Sequence, residues 1–165
     1  MKAKLFVFCL AMAFGFGILT PAFAEEAPSI EGTYEFVSRD LPDGSTQTPP
    51  NMVGLITYTK TRRNFNVYWT SPDGKRTSFS SISSYVLTPT EYQETAIYHM
   101  ANDEINAQGI QYDLSGKSGT ATVTIEGGKM SIQLPLYDEP LLTFQGDTFT
   151  ATKPGRFTDH WKKVE

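Results

Sequence analysis

From Gly32 to Val164 polar and apolar positions change places at almost every step. The alternating segments are 32–38 (GTYEFVS), 54–60 (GLITYTK), 64–70 (NFNVYWT), 77–87 (TSFSSISSYVL) and 91–99 (EYQETAIYH), then 119–125 (GTATVTI), 129–134 (KMSIQL), 140–144 (PLLTF), 147–152 (DTFTAT) and 156–164 (RFTDHWKKV). A period of two sends successive side chains to opposite faces of a strand, so each segment predicts a half-buried strand. Thr, Tyr, Val, Ile and Phe fill most of these positions, and they pack well on a pleated surface. About ten strands follow.

The links between them fit the same picture. Pro72-Asp73-Gly74, Gly127-Gly128 and Gly146-Asp147 are sequences that tolerate the positive φ of tight hairpin turns, and strands joined in this way are antiparallel. Residues 43–51 (DGSTQTPPN) read as a loop. The segment without clear alternation, 101–109 (ANDEINAQG), predicts one short helix or a flap. A sheet of this many strands must hide its two edges by closing into a barrel or folding over as a sandwich. A barrel of eight to ten strands is either filled by its own side chains or holds one small ligand.

Parity carries the candidate site. Tyr34, Phe36, Tyr58, Phe65, Trp69, Phe79, Tyr85, Tyr92 and Tyr98 fall on matching faces of consecutive strands, and Glu94 stands between Tyr92 and Tyr98 on one of those faces. Small-molecule sites are mostly apolar with a few placed polar groups. On that basis Tyr58, Phe65, Trp69, Tyr85, Tyr92, Glu94 and Tyr98 are the candidate ligand-binding residues, with Glu94 as polar anchor. The plainer reading, in which the rings fill the barrel and Glu94 faces a wet loop end, stays open.

The first 24 residues stand apart from this pattern. Lys2 and Lys4 precede an apolar run from Leu5, which ends at Ala22-Phe23-Ala24, the order of a secretory signal cleaved after Ala24. Gly15, Gly17 and Pro21 interrupt the run short of the ~20 residues that span a bilayer. The expectation is an exported protein, periplasmic or secreted, whose single domain is residues 25–165. Cleavage removes Cys9, the one cysteine, so neither disulfides nor thiolate chemistry is expected. It also removes Lys2 and Lys4, taking the formal charge from −4 to −6. An acidic chain whose basic runs stop at Arg62-Arg63 and Lys162-Lys163 argues against nucleic acid or an anionic membrane as partner.

Motifs for other chemistry fail on their spacing. SGKSGT at 115–120 contains Gly-Lys-Ser, but a phosphate-binding loop needs glycine where Gln111 stands. His99 and His160 are far apart, with no paired-ligand spacing, so neither a metal nor another cofactor is expected. The serines of 78–84 lack a nucleophile elbow, and Asp138-Glu139, beside Pro140, read as a solvated loop pair. The chain is accordingly not expected to be an enzyme.

Four stretches taken in order carry a more specific likeness: IEGTYEFVSRDLPDG at 30–44, GLITYT at 54–59, YVLTPTEYQETAIY at 85–98 and HWKKV at 160–164. Together they resemble the bacterial lipocalin-like proteins of the calycin group. In that group the first strand often reads Gly-Thr-Trp-x-Leu-Val-Ser and the last closes on Trp-Lys-Arg-Val. Tyr34 takes the place of the tryptophan here, and Lys163 that of the arginine.

The resemblance implies an all-β, antiparallel up-and-down β-barrel of about 8–10 strands. It would be closed near Tyr34 and Trp161, with Lys163 or Arg156 supplying a cation over the Tyr34 ring. It also implies a non-covalent carrier or sensor of a small apolar or amphipathic molecule. Two alternatives are a filled barrel serving as a structural or protein-interaction module, and an enzyme working at the barrel mouth.

Overall fold

The computed structural model describes residues 29–165, and the leader read at 1–24 lies outside them. Among the described residues there are twelve strands and no helix. Ten build the barrel: β1 (Gly32–Asp40), β3 (Met52–Tyr58), β4 (Arg62–Thr70), β5 (Arg76–Leu87), β6 (Glu91–Asp103), β8 (Ser118–Glu126), β9 (Lys129–Gln133), β10 (Leu141–Gln145), β11 (Thr148–Lys153) and β12 (Phe157–Lys163). They correspond one to one with the alternating segments. Each pairs antiparallel with the next, and β12 returns to β1, so the sheet has no free edge around the ring. The up-and-down barrel expected from the sequence is therefore the fold.

Two short strands are additions. β2 (Thr46–Gln47) pairs with β1, inside what reads as a loop. β7 (Gly109–Asp113) pairs with the far half of β6, so residues 101–109 form a hairpin and not a helix. Asp103 makes that turn. Its carboxylate accepts the Asn106 backbone N–H at 3.0 Å and the Asn106 side-chain amide at 2.7 Å, which holds the chain in a turn rather than a helical start.

Closure pairs Tyr34 with Lys163, Phe36 with Trp161 and Arg39 with Asp159. Tyr34 is packed by other rings, edge-on to Phe149 at 5.1 Å and to Phe144 at 6.0 Å, and its hydroxyl donates to the Ile30 carbonyl at 3.2 Å. The Lys163 side chain lies instead against Gly32, at φ +142°, where a Cβ would meet its Cε at 2.3 Å. Arg156 stands at the opposite end of β12. Among the described residues the cations over rings are Arg39, Arg63 and Lys117, so the cation expected on Tyr34 is replaced by an aromatic cluster.

Two bulges change which side chains face inward. Val37 on β1 and Ile97 on β6 are extra residues without a cross-strand partner, exposed at 47% and 48%. Strict alternation continues Tyr34 and Phe36 with Ser38, and Tyr92, Glu94 and Ala96 with Tyr98. The extra residue in each strand brings Arg39 and His99 inward instead.

The interior has two unlike halves. At the closed end Tyr34, Tyr58, Tyr85, Tyr92, Phe144, Met130 and Val123 are buried in one cluster, with Tyr58 and Tyr85 at 5.8 Å and Tyr85 and Tyr92 at 5.6 Å between centroids. The other half is hollow.

Candidate functional site

The hollow half is a cavity of about 530 Å³, within the range of small-molecule sites. Phe65, Val67 and Trp69 of β4 form one wall because the period of two puts all three on its inner face. Phe79 of β5 follows, 5.7 Å from Trp69. Phe149 of β11 and Trp161 of β12 stack at 5.5 Å with planes 5° apart and form a second wall, which meets the first where Trp161 lies edge-on to Phe65 at 6.2 Å. Gly54 makes room for the indole, since a Cβ there would lie 2.6 Å from Trp161 Cη2.

The floor is ionic. Arg63 opens the inner face of β4 with its side chain 4% exposed. One guanidinium nitrogen donates to Glu94 Oε1 at 3.2 Å and the other to Glu139 Oε1 at 2.7 Å. Glu94 is wholly buried behind Arg63, while Glu139 is 13% exposed and lines the cavity. Arg63 Nε and the second oxygen of each carboxylate have no hydrogen-bond partner, and the same holds for the Tyr58 and Tyr92 hydroxyls behind them and for Thr77 Oγ1 and Trp161 Nε1 in the cavity wall.

Burial raises the Glu139 pKa even though Arg63 pulls it down, and Glu94 raises it further. Arg63 stays charged, because its acidic neighbours, Glu139 first, outweigh the burial that works against the cation. Burial also pushes the Tyr58 and Tyr92 phenols well above their usual range, so both are neutral.

Nearer the mouth, Arg39 and Asp159 form a bidentate pair at 2.6 and 2.9 Å. The Arg39 guanidinium lies 3.9 Å over the Phe157 ring and 5.2 Å from that of Trp69. The bulge at Val37 makes this pair possible, since it aims Arg39 at the inner-facing Asp159.

One side of the mouth is walled by residues 134–140. β8 covers β6 only along Glu91–Thr95; beyond that point β7 takes the same edge along His99–Asp103, and among the described residues no strand pairs with the other edge of β7. Tyr137 fills the breach. Its ring lies on His99, its hydroxyl donates to Asp113 at 3.0 Å, and Lys117 sits over its face at 5.2 Å. Tyr137 and Asp138 both adopt the left-handed backbone, with φ of 52° and 54°. The Lys153 ammonium pairs with the Asp138 carboxylate and holds the turn in place. Burial lowers the His99 pKa, so its imidazole is neutral under the Tyr137 ring.

Of the candidate residues read from sequence, Phe65 and Trp69 line the cavity, while Tyr58, Tyr85 and Tyr92 belong to the filled half. Glu94 is interior, with Arg63 and Glu139 between it and the open space. Tyr98 is turned off this face by the Ile97 bulge and lies against Tyr112 of β7, at 6.4 Å. Arg156 is at the cavity rim, and Trp161 is both a closure residue and a cavity wall.

The sequence reading passed over Arg63, Glu139, His99 and Tyr137. Arg63 shares parity with Phe65, Val67 and Trp69, so alternation contained it. Glu139, read as solvated, is drawn inward by Arg63. His160 is on the outer face with Asp40, at 2.8 Å, and among the described residues no group of three His, Cys, Asp or Glu converges on a metal-sized site.

Compared with protein-family models, with curated proteins and with solved structures, the chain gives no match.

Proposed function

We propose that this protein is an exported, lipocalin-like binding protein that takes one small apolar or amphipathic molecule into the hollow half of its barrel. The observation that carries this reading is the division of the interior: one end packed with rings, the other a cavity of about 530 Å³ ending on buried polar groups that lack partners. Unpartnered polar atoms in a low-dielectric interior are costly, and a ligand's polar end satisfies them while its apolar body covers the rings. The closed end supplies the rigidity that keeps the cup open.

Three measurements test this reading. Native mass spectrometry of protein recovered from the exported fraction is expected to reveal a co-purifying small molecule, and Trp69 and Trp161 fluorescence to change when it is removed. Recovery of the ligand chemically unchanged after incubation supports carriage over turnover. An interior found solvent-filled, with no affinity for any amphipathic probe, overturns the proposal. Export is tested separately: the N-terminus of the mature protein should be Glu25.

One observation favours a second, interaction-protein reading. β7 carries Ile110 and Tyr112 on its outer side, exposed at 61% and 66%, and Leu114 follows at 72%. If pull-down from the native compartment recovers one stoichiometric protein whose capture is lost in Ile110→Ser/Tyr112→Ser, that reading replaces the first.

A further inference from the structure

The cavity floor holds two carboxylates against one guanidinium. Arg63 spends one N–H on Glu94 and another on Glu139, and each carboxylate is left with an unpartnered oxygen. Two ionised carboxylates in a low-dielectric site around one cation leave a net negative charge, and an uncompensated buried charge is strongly disfavoured. The deficit is one positive charge, or one proton. Of the two, only Glu139 lines the cavity, its side chain 13% exposed while its unpartnered oxygen is covered, since Glu94 is sealed behind Arg63.

We infer that the ligand of this cup carries a single ammonium group, which binds at the Glu139 carboxylate while an aromatic or apolar body rests against the Trp69–Phe79 and Phe149–Trp161 walls. The inference rests on the binding reading given above and names the ligand's chemical class. An ammonium completes the charge balance of the floor and donates to that carboxylate. The surrounding rings favour it as well, because a cation near several aromatic faces is attracted by their quadrupoles.

Other charges at the mouth do not reverse this preference. Arg39 is saturated by Asp159, and Lys153 by Asp138. Arg156 is exposed in a turn at the rim, where solvent and salt screen it, whereas nothing comparable screens the floor. Burial raises the Glu139 pKa, the direction expected of a carboxylate short of a cation.

A matched head-group series tests the inference on the full mature protein. Tryptamine, tryptophol and indole-3-propionate share one ring and present an ammonium, a hydroxyl and a carboxylate. By isothermal titration calorimetry at pH 7.5, tryptamine is expected to bind at least about tenfold more tightly than tryptophol and indole-3-propionate more weakly than either, tenfold corresponding to about 1.4 kcal/mol. In Glu139→Gln the preference of tryptamine over tryptophol is expected to fall to within about threefold of unity.

If tryptophol or indole-3-propionate binds as tightly as tryptamine, the cup binds ligands but the ammonium assignment is wrong. If none of the three binds, the binding reading itself falls and takes this inference with it. The head-group comparison needs no variant, so it decides even if Glu139→Gln folds poorly.

Discussion

The Tyr137 ring lies flat on the His99 imidazole, with centroids 3.9 Å apart and planes 10° apart. This contact joins two parts of the chain that share no backbone ladder at that height, the far half of β6 and the segment 134–140. It stands where β7 has replaced β8 beside β6 and its other edge is unpaired, and the backbone of Tyr137 adopts a conformation disfavoured for an L-residue in order to make it.

The backbone strain gives the first expected outcome. Glycine normally destabilises relative to alanine because it has more freedom to lose on folding. At position 137, with φ at 52°, alanine keeps the left-handed penalty of about 1 kcal/mol and glycine does not. Both variants lose the stack on His99, yet Tyr137→Gly should be as stable as Tyr137→Ala or more so in urea unfolding. The reverse order would show that the turn is not held left-handed in solution. Both variants should also release bound ligand faster in stopped-flow exchange.

The floor and the wall titrate with opposite sign. His99 has its folded pKa lowered, chiefly by burial, so as pH falls through about 6.5 the unfolded chain takes up the proton first and stability is lost. Glu139 has its folded pKa raised, again chiefly by burial, so its contribution is full below the unfolded value of about 4.5 and is lost as pH rises through the folded pKa. Urea midpoints between pH 4.5 and 7.5 separate the two. His99→Gln should remove the loss on the acid side, and Glu139→Gln should remove the loss on the alkaline side.

Arg63 is the only guanidinium bonded to Glu94 and Glu139 among the described residues. Arg63→Met is expected to cost about 3–5 kcal/mol, because it strands buried carboxylates without their partner. Adding Glu94→Gln and Glu139→Gln to that variant should recover a large part of the loss. If the triple variant is no more stable than Arg63→Met, charge is not what the floor balances.

The two halves should answer truncation differently. Phe144, 6% exposed in the packed end, touches Tyr34, Tyr58 and Phe149, and Phe144→Ala should cost about 3–5 kcal/mol through the void it leaves. Phe79 already borders a hollow and is only half-buried, so Phe79→Ala should cost about 1–2 kcal/mol. Its larger effect should be on ligand affinity, read by calorimetry. Equal losses of stability at the two sites would mean that the hollow half is packed in solution.

The barrel was legible because period-two alternation is a local signal, repeated ten times and punctuated by turns. Parity also placed Phe65, Trp69 and Glu94 inside. It failed at Tyr98, because a bulge depends on which partner residue a strand meets and no single strand's pattern records that. It failed at Glu139 for a different reason. A carboxylate beside a proline in a loop looks solvated until Arg63, 76 residues earlier, is seen to reach it. The turn at 101–109 was ambiguous because polar residues such as Asp103 and Asn106 serve a helix start or a hairpin equally well.

The extra residues at Val37 and Ile97 bear on how this chain tolerates changes of length. In an ordinary strand, deleting one residue turns every later side chain to the opposite face. Here the spare residue is already excluded from the ladder, so excising Val37 leaves Phe36 and Arg39 both inward, and excising Ile97 leaves Ala96 and His99 both inward. These two positions are silent sites for single-codon loss within strands that otherwise cannot be shortened by one. Their removal should straighten the barrel wall and alter the shape of its mouth while sparing the residues that look into it.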